Sequence, residues 1–437
     1  MNIRALAVGM ILLFIIMGGT VAVETAAPVP SLTPRAYCAK AKMGLFVHYT
    51  LGTYHDGHYG GTWTDPHGKP ATDINTVAES LDVKALANLA QAMGAQYVIF
   101  TAFHSGLNML YPSTIWGRVF PNKVCKRDLI SDLADALKAR GIPLILYVNP
   151  DDRHDLTAAE QKKLVENGYS TQVNITEWSD RRPRDPLWEA TYVRLIDEIG
   201  SRYGGRIDGY WEDGGLCDGP KVKAVMLDHT PDAAIWKNIG WSGPPATLIG
   251  SSRENRLQQW AATVTGTGLD KYWWASGGRM TRTPREMYQT TVLWAATQGQ
   301  VNGGIAWAAG PYLNNEWEIG VAEAFNELGH LMHVNGISIY DTVPSTSYVT
   351  TPAAHPSWGV ATESADGRTV YLHVFNPPRE TSLKISKAAD GRGFERATLL
   401  GDGKMMGLAS TDRGYVLTPP KGEKWSEVDT VICLAVK

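Results

Sequence analysis

The sequence predicts an α/β protein, a (β/α)8-type barrel followed by a C-terminal antiparallel β-sandwich, and three observations carry that prediction. Apolar runs of strand length alternate with stretches of helical period over most of the chain. Polar and aromatic residues recur directly after those runs, at His48, His104, Asn149, Asp213 and Arg253. Beyond Thr342 the helical period stops, and short strands separated by turn dipeptides take over.

Met1-Asn2-Ile3-Arg4 carries one positive charge, and an apolar stretch runs from Ala5 to Val23 before the polar, Pro-containing Glu24 to Pro28. This reads as a signal peptide over residues 1–23 and implies a secreted or periplasmic protein with no stable membrane association after cleavage. An uncleaved anchor is the alternative, since the run approaches the ~20 residues a spanning helix needs, although Gly9, Gly18 and Gly19 weaken that helix.

The first barrel strand is Met43 to His48, followed by a helix over Val83 to Met93 and the strand Tyr97 to Thr101. Asp128 is placed to cap a helix running to Lys138. Then come the strand Pro143 to Val148, the helix Leu187 to Arg202 and the strand Ile207 to Trp211. Ala246 to Ile249 and Gly304 to Trp307 add strands, the latter leading into a helix over Val321 to Val334. Strands that read as continuous apolar runs belong to a parallel sheet buried on both faces. Polar residues gathered at their carboxyl ends suit a closed barrel, assigned to residues 35–342.

Pro344 to Ser347 read as a polar connection. Val370 to Phe375, Ala397 to Leu400, Tyr415 to Leu417 and Val431 to Leu434 then read as strands, separated by Asp366-Gly367, Asp402-Gly403 and Asp412-Arg413-Gly414. They define the sandwich, residues 348–437.

The 437 residues are 44% hydrophobic and 19% charged, enough to bury a large core. The 41 basic and 44 acidic side chains nearly cancel, so no single-sign field draws nucleic acid, and a neutral substrate fits better. Cys38, Cys125, Cys217 and Cys433 are too dispersed for a zinc motif or redox pair, and they either pair or fill the core. His55, His58 and His67 crowd the first loop and with His48 and His104 offer zinc ligands. A solvated polar loop accounts for them as well, and neither metal nor cofactor is expected. Gly57 to Gly61 has no lysine or helix after it, so it is not a phosphate cradle.

Asp213 ends an apolar strand, follows Trp211 and precedes Gly214 and Gly215, which would allow close approach of a ligand. A strand-end aspartate serves equally as a turn residue. It also suits the nucleophile of a retaining glycosidase, which needs a second carboxyl group roughly 5 Å away as acid and base.

Taken together, the segments resemble the α-L-fucosidases of glycoside hydrolase family 29 from about Ala39 to the carboxyl terminus. Lys42 to Tyr49 is similar to the family's Lys-Phe-Gly-Ile-Phe-Ile-His-Trp strand, and Gly94 to Ser105 to its Gly-Ala-Lys-Tyr-Val-Val-Leu-Thr-Ala-Lys-His-His. Trp211-Glu212-Asp213-Gly214 resembles the Trp-Phe-Asp-Gly motif that carries the nucleophile. Val334 to Tyr340 and Leu399 to Gly403 agree with later segments. The resemblance implies hydrolysis of α-L-fucosides on a carbohydrate substrate, through a covalent glycosyl-enzyme on Asp213. It also implies that His48, His104, Tyr147 and Trp211 line the sugar pocket, with Trp63 as a further aromatic wall. Arg253 matches a sugar-contacting arginine. Glu254 is the expected acid/base, with Asp270 as the alternative, because the family's Thr-Pro-Glu segment is absent between Arg253 and Trp273. Phe103-His104-Ser105 stands where the family has Lys-His-His, which leaves open a changed sugar preference. An inactive sugar-binding protein is the remaining alternative.

Overall fold

The computed structural model describes residues 32–52, 61–150, 152–176, 184–213, 219–237, 260–263, 265–266, 279–298, 304–351 and 354–437. Thr33 to Lys437 form one compact unit. The expected signal segment lies outside the described residues, as do Cys217 and the predicted strand Ala246 to Ile249.

Seven described strands form a wholly parallel sheet: β1 (Met43–Val47), β2 (Val98–Thr101), β3 (Leu144–Val148), β4 (Gly209–Glu212), β5 (Ala234–Lys237), β6 (Trp260–Thr263) and β7 (Ile305–Ala308). Their spatial order is β5-β4-β3-β2-β1-β7-β6, so described strands successive in sequence lie side by side except β5 and β6, which form the two edges, and β1 pairs with β7. This is the circular order of a barrel. Between β5 and β6 in the chain falls the predicted strand Ala246 to Ile249.

Strand residues alternate between two cores, as the period of two requires. Leu45, Val47, Val98, Phe100, Leu144, Leu146, Val148 and Tyr210 pack outward beneath the helices. Phe46, Ile99, Ile145, Tyr147, Trp211, Trp236, Ala306 and Ala308 fill the inside of the sheet. Space inside is tight: a Cβ on Gly44 would lie 2.2 Å from the Tyr97 ring, and one on Gly209 would lie 2.0 Å from the Ala234 carbonyl oxygen.

Side-chain caps start the outer helices. Asp82 accepts from the N–H groups of Lys84 and Ala85 ahead of Val83–Ala92, and Asp128 accepts from Ser131 ahead of Leu129–Lys138, as predicted. Thr157 and Glu160 form a reciprocal capping box for Ala158–Glu166, a helix the periodicity did not reveal. Asp185 caps Pro186–Tyr203, and Val321–Val334 has the predicted bounds. Helices at Gly219–His229 and Pro284–Gln298 were not anticipated. No helix among the described residues is long and apolar enough to cross a membrane.

The carboxyl-terminal sheets are antiparallel. One comprises β8 (Thr342–Pro344), β9 (Gly359–Ser364), β10 (Thr369–Val374), β12 (Phe394–Leu399) and β15 (Thr430–Val436), in the order β8-β9-β10-β15-β12. The other comprises β11 (Leu383–Ser386), β13 (Gly407–Thr411) and β14 (Gly414–Thr418), with β14 central. Val370, Leu372, Leu383, Ile385, Leu417, Ile432 and Leu434 form their common core, which makes a sandwich. Pro344, expected in a connection, ends β8 instead; at the sheet edge a missing N–H is tolerated.

Barrel and sandwich meet through buried polar contacts. Tyr288 donates to Asp429 Oδ2 at 2.7 Å, and the same oxygen lies 2.7 Å from His373 Nδ1. His373 Nε2 is 3.2 Å from the Ser338 carbonyl, and Asn335 donates to the Tyr288 hydroxyl at 2.8 Å. Lys42, ahead of β1, donates to the Thr342 carbonyl at 3.0 Å, and burial lowers its pKa to about 8.

Candidate active site

The period of two explains which side chains converge. Phe46 faces the inside of the barrel, and so does His48 two residues on; Tyr147 is followed at the same parity by Asn149, and Trp211 by Asp213. Tyr147 and Trp211 are register partners on adjacent strands, and their rings stack at 5.3 Å with 19° between planes. His48 stacks on Phe46 at 4.6 Å and meets the Tyr147 ring edge at 4.7 Å. Asp213 is anchored by its own N–H, which donates to Val148 at 2.9 Å.

His104 arrives by a different route. After β2 the chain forms a small hairpin in which Phe103 pairs with Met109 and His104 with Asn108, and its turn uses positive φ at Gly106 and Leu107. This sets the His104 ring 5.2 Å from that of His48 and 4.8 Å from that of Tyr147. Phe103 turns away and packs edge-on to Tyr192, while Ser105 is buried against Gly52.

Hydrogen bonds join these groups in a row. The Tyr147 hydroxyl donates to Asp213 Oδ2 at 2.6 Å and lies 3.0 Å from His104 Nε2. His104 Nδ1 lies 2.7 Å from Asp152 Oδ2, and Asn149 Nδ2 donates to the Tyr147 hydroxyl at 3.2 Å. Asn149 is among the polar residues expected at the strands' carboxyl ends, whereas Phe46 and Asp152 were not anticipated as parts of this cluster. Parity two residues before His48 was available as a signal for Phe46; nothing local distinguishes Asp152 in the polar run Asp151 to Asp155.

Burial sets the electrostatics. It lowers the His104 pKa to about 4, against the pull of Asp213 and Asp155, and holds His48 well below the usual imidazole range, with His104 adding to the effect. Both rings are therefore neutral at pH 7, and both nitrogens of His104 are engaged, Nε2 with the Tyr147 hydroxyl and Nδ1 with Asp152. Burial, then the charges of Asp213 and Asp152, raises Tyr147 well above the ordinary phenol range, so it keeps its proton. Burial raises Asp155 to about 8, reinforced by the like charge of Asp152.

Asp152, His154 and Asp155 bring three potential ligand atoms within 4.8 Å of one another. Asp152 Oδ2 is engaged by His104, and a carboxyl at Asp155 that holds its proton at pH 7 makes the group a buried polar network.

Of the residues expected in the pocket, His48, His104, Tyr147, Trp211 and Asp213 are together. Trp63 lies on the loop after β1, half-buried, bridged to Pro70, with its carbonyl accepting from the Leu313 N–H on the loop after β7. Glu254, Arg253 and Asp270 lie outside the described residues, as do Gly214, Gly215, His55 and His58. His67 sits in an exposed turn stabilised by Asp65. Cys38, Cys125 and Cys433 are free thiols, the first two buried.

Comparison with known proteins points one way. Residues 27–238 match the α-L-fucosidase family. The α-L-fucosidase 1 of Arabidopsis thaliana is 26% identical over 225 residues, and a putative α-L-fucosidase 1 of Oryza sativa subsp. japonica is 31% identical over 214. These matches take in 48% and 47% of this chain but only 38% and 35% of the relatives' lengths. The fold extends further. An α-L-fucosidase isoenzyme 1 from Paenibacillus thiaminolyticus superposes with a TM-score of 0.64 at 20% identity, covering 93% of this chain and all of that one. A GH29 α-L-fucosidase from Bacteroides thetaiotaomicron, trapped as a covalent intermediate with 2-fluoro-fucosyl fluoride, superposes at 0.63 with 19% identity, covering 92% and 95%. Over residues 27–238, the chain is thus similar to the α-L-fucosidase family.

Proposed function

We propose that the protein is a retaining exo-glycosidase that hydrolyses α-L-fucosides, with Asp213 as nucleophile. The observation that carries this reading is the half-exposed Asp213 carboxylate at the carboxyl end of a barrel strand, held by the Tyr147 hydroxyl beside two neutral imidazoles and the Trp211 ring. Imidazoles recognise vicinal hydroxyls, and an aromatic face packs against the apolar side of a pyranose. Asp213 attacks the anomeric carbon and a bond forms to its oxygen as the glycosidic C–O bond breaks. A second carboxyl group, assigned to Glu254 with Asp270 as the alternative, gives its proton to the departing oxygen. It then takes one from the water that releases fucose. Phe103, one of the departures from the family pattern, packs edge-on to Tyr192, away from this cluster.

Asp213→Gly tests the assignment on an aryl α-L-fucoside. Turnover should fall at least about a thousandfold and recover in part with azide, which replaces the missing nucleophile. Wild-type protein inert towards α-L-fucosides, or a glycine variant as active as wild type, would refute it. Export rests on the apolar run behind Arg4: protein recovered from the medium or periplasm should begin near residue 23, whereas an intact Met1 on that material would argue against cleavage.

A further inference from the structure

We propose that Asp152 is a positioning residue, acting through His104 and Tyr147 to keep the phenol proton directed at the Asp213 carboxylate. The inference rests on the reading of Asp213 as nucleophile.

A phenol has one proton to give. Donated to Asp213 Oδ2, 2.6 Å away, it leaves the hydroxyl oxygen to accept from Asn149 Nδ2 at 3.2 Å and from His104 Nε2 at 3.0 Å. Nε2 must then carry the ring's N–H. Because the ring is neutral, the 2.7 Å contact between His104 Nδ1 and Asp152 Oδ2 holds one further proton on the carboxyl, so the pair carries two protons and no net charge. The surroundings favour this. Asp152 and His104 are both buried, and Asp213 brings negative charge to the same pair. In the opposite tautomer a bare Nε2 takes the phenol proton, and a phenol lone pair faces the Asp213 oxygen.

The direction of that proton matters most when Asp213 leaves the sugar. As the glycosyl-enzyme is hydrolysed the carboxylate regains its charge, and a hydrogen bond to it strengthens on the way to that transition state. Loss of such a charge-assisted bond slows the step about 10- to 100-fold.

Two substitutions separate positioning from simple loss of charge. In Asp152→Asn the amide N–H donates to Nδ1 and keeps the ring proton on Nε2; in Asp152→Leu nothing holds the tautomer. Each protein is labelled with 2-fluoro-fucosyl fluoride, freed of excess reagent, and followed as activity returns. That first-order rate does not depend on the fraction of protein folded. We expect reactivation to slow about 10- to 100-fold in the leucine variant and less than about threefold in the asparagine variant. Nitrogen shifts of the His104 ring should report Nε2–H in wild type and Asp152→Asn, and a mixed or inverted tautomer in Asp152→Leu. Equal rates in the two variants, or an unchanged tautomer in Asp152→Leu, would overturn the proposal. Wild-type protein that is never labelled at Asp213 would instead sink the glycosidase reading, and this inference with it.

Discussion

Tyr147→Phe removes a single hydroxyl from the centre of the candidate site and leaves the ring that stacks on Trp211 at 5.3 Å. The lost contact is a 2.6 Å hydrogen bond to a carboxylate, a class of interaction that contributes about 1.5–3 kcal/mol. Where that contribution appears in the kinetics follows from charge. On the proposed mechanism, Asp213 gives up negative charge as it attacks and regains it as the glycosyl-enzyme breaks down, so the phenol assists the second step and not the first. With 2,4-dinitrophenyl α-L-fucoside, whose leaving group makes attack easy, the second step then limits turnover. The variant should lose about 10- to 100-fold in kcat, its KM should fall in parallel as the intermediate accumulates, and kcat/KM should change less than about threefold. Burst kinetics would display the accumulating intermediate directly. The substitution also takes an acceptor from His104 Nε2 and Asn149 Nδ2, a cost of about 1–3 kcal/mol in folding stability. Urea unfolding therefore accompanies the rates. An unchanged kcat in folded protein, or a fall in kcat/KM with KM constant, would refute the reasoning.

Two further predictions concern stability. The Asp155 carboxyl is raised from 3.8 to about 8, so the stability it contributes is complete below pH 3.8 and is lost as pH rises towards 8. His104, lowered from 6.5 to about 4, acts only below pH 6.5, and Lys42, lowered to about 8, acts only above that value, so neither contributes between pH 6.5 and 8. The Asp155 carboxyl should account for a loss of about 2 kcal/mol of urea-unfolding free energy across that interval, so Asp155→Asn should lose that much less than wild type; parallel slopes would rule the assignment out. Asp429→Ala strips the partner from Tyr288 and His373 where barrel and sandwich meet, and should cost about 3–5 kcal/mol in thermal or denaturant unfolding. A loss under about 1 kcal/mol would show that these buried groups find other partners.

The barrel was legible because its strands are apolar on both faces. Leu144 to Val148 and Met43 to Val47 are buried at every position, as a parallel sheet covered on both sides requires. The sandwich was less so. Leu408, Ala409, Ser410 and Thr411 of β13 are mostly exposed, and an outer strand held by backbone pairing to β14 leaves little apolar alternation to detect. β9, with the sequence Gly-Val-Ala-Thr-Glu-Ser, buries Thr362 and Glu363, so its polarity concealed a covered strand.

The same distinction separates the parts of the site. His48 and Asp213 stand two residues beyond the inward-facing Phe46 and Trp211, so once each strand is recognised, parity alone predicts where they point. His104 and Asp152 obey no such rule. Each lies past the end of its strand, in a hairpin and in a short 3-10 turn, and they are 48 residues apart, so their 2.7 Å contact exists only because β2 and β3 are neighbours. Side chains proposed to meet the sugar are set by strand period, whereas those inferred to orient them are set by loop conformation. A single sequence therefore exposes the proposed nucleophile well before it exposes the residue inferred to hold its hydrogen-bond donor in place.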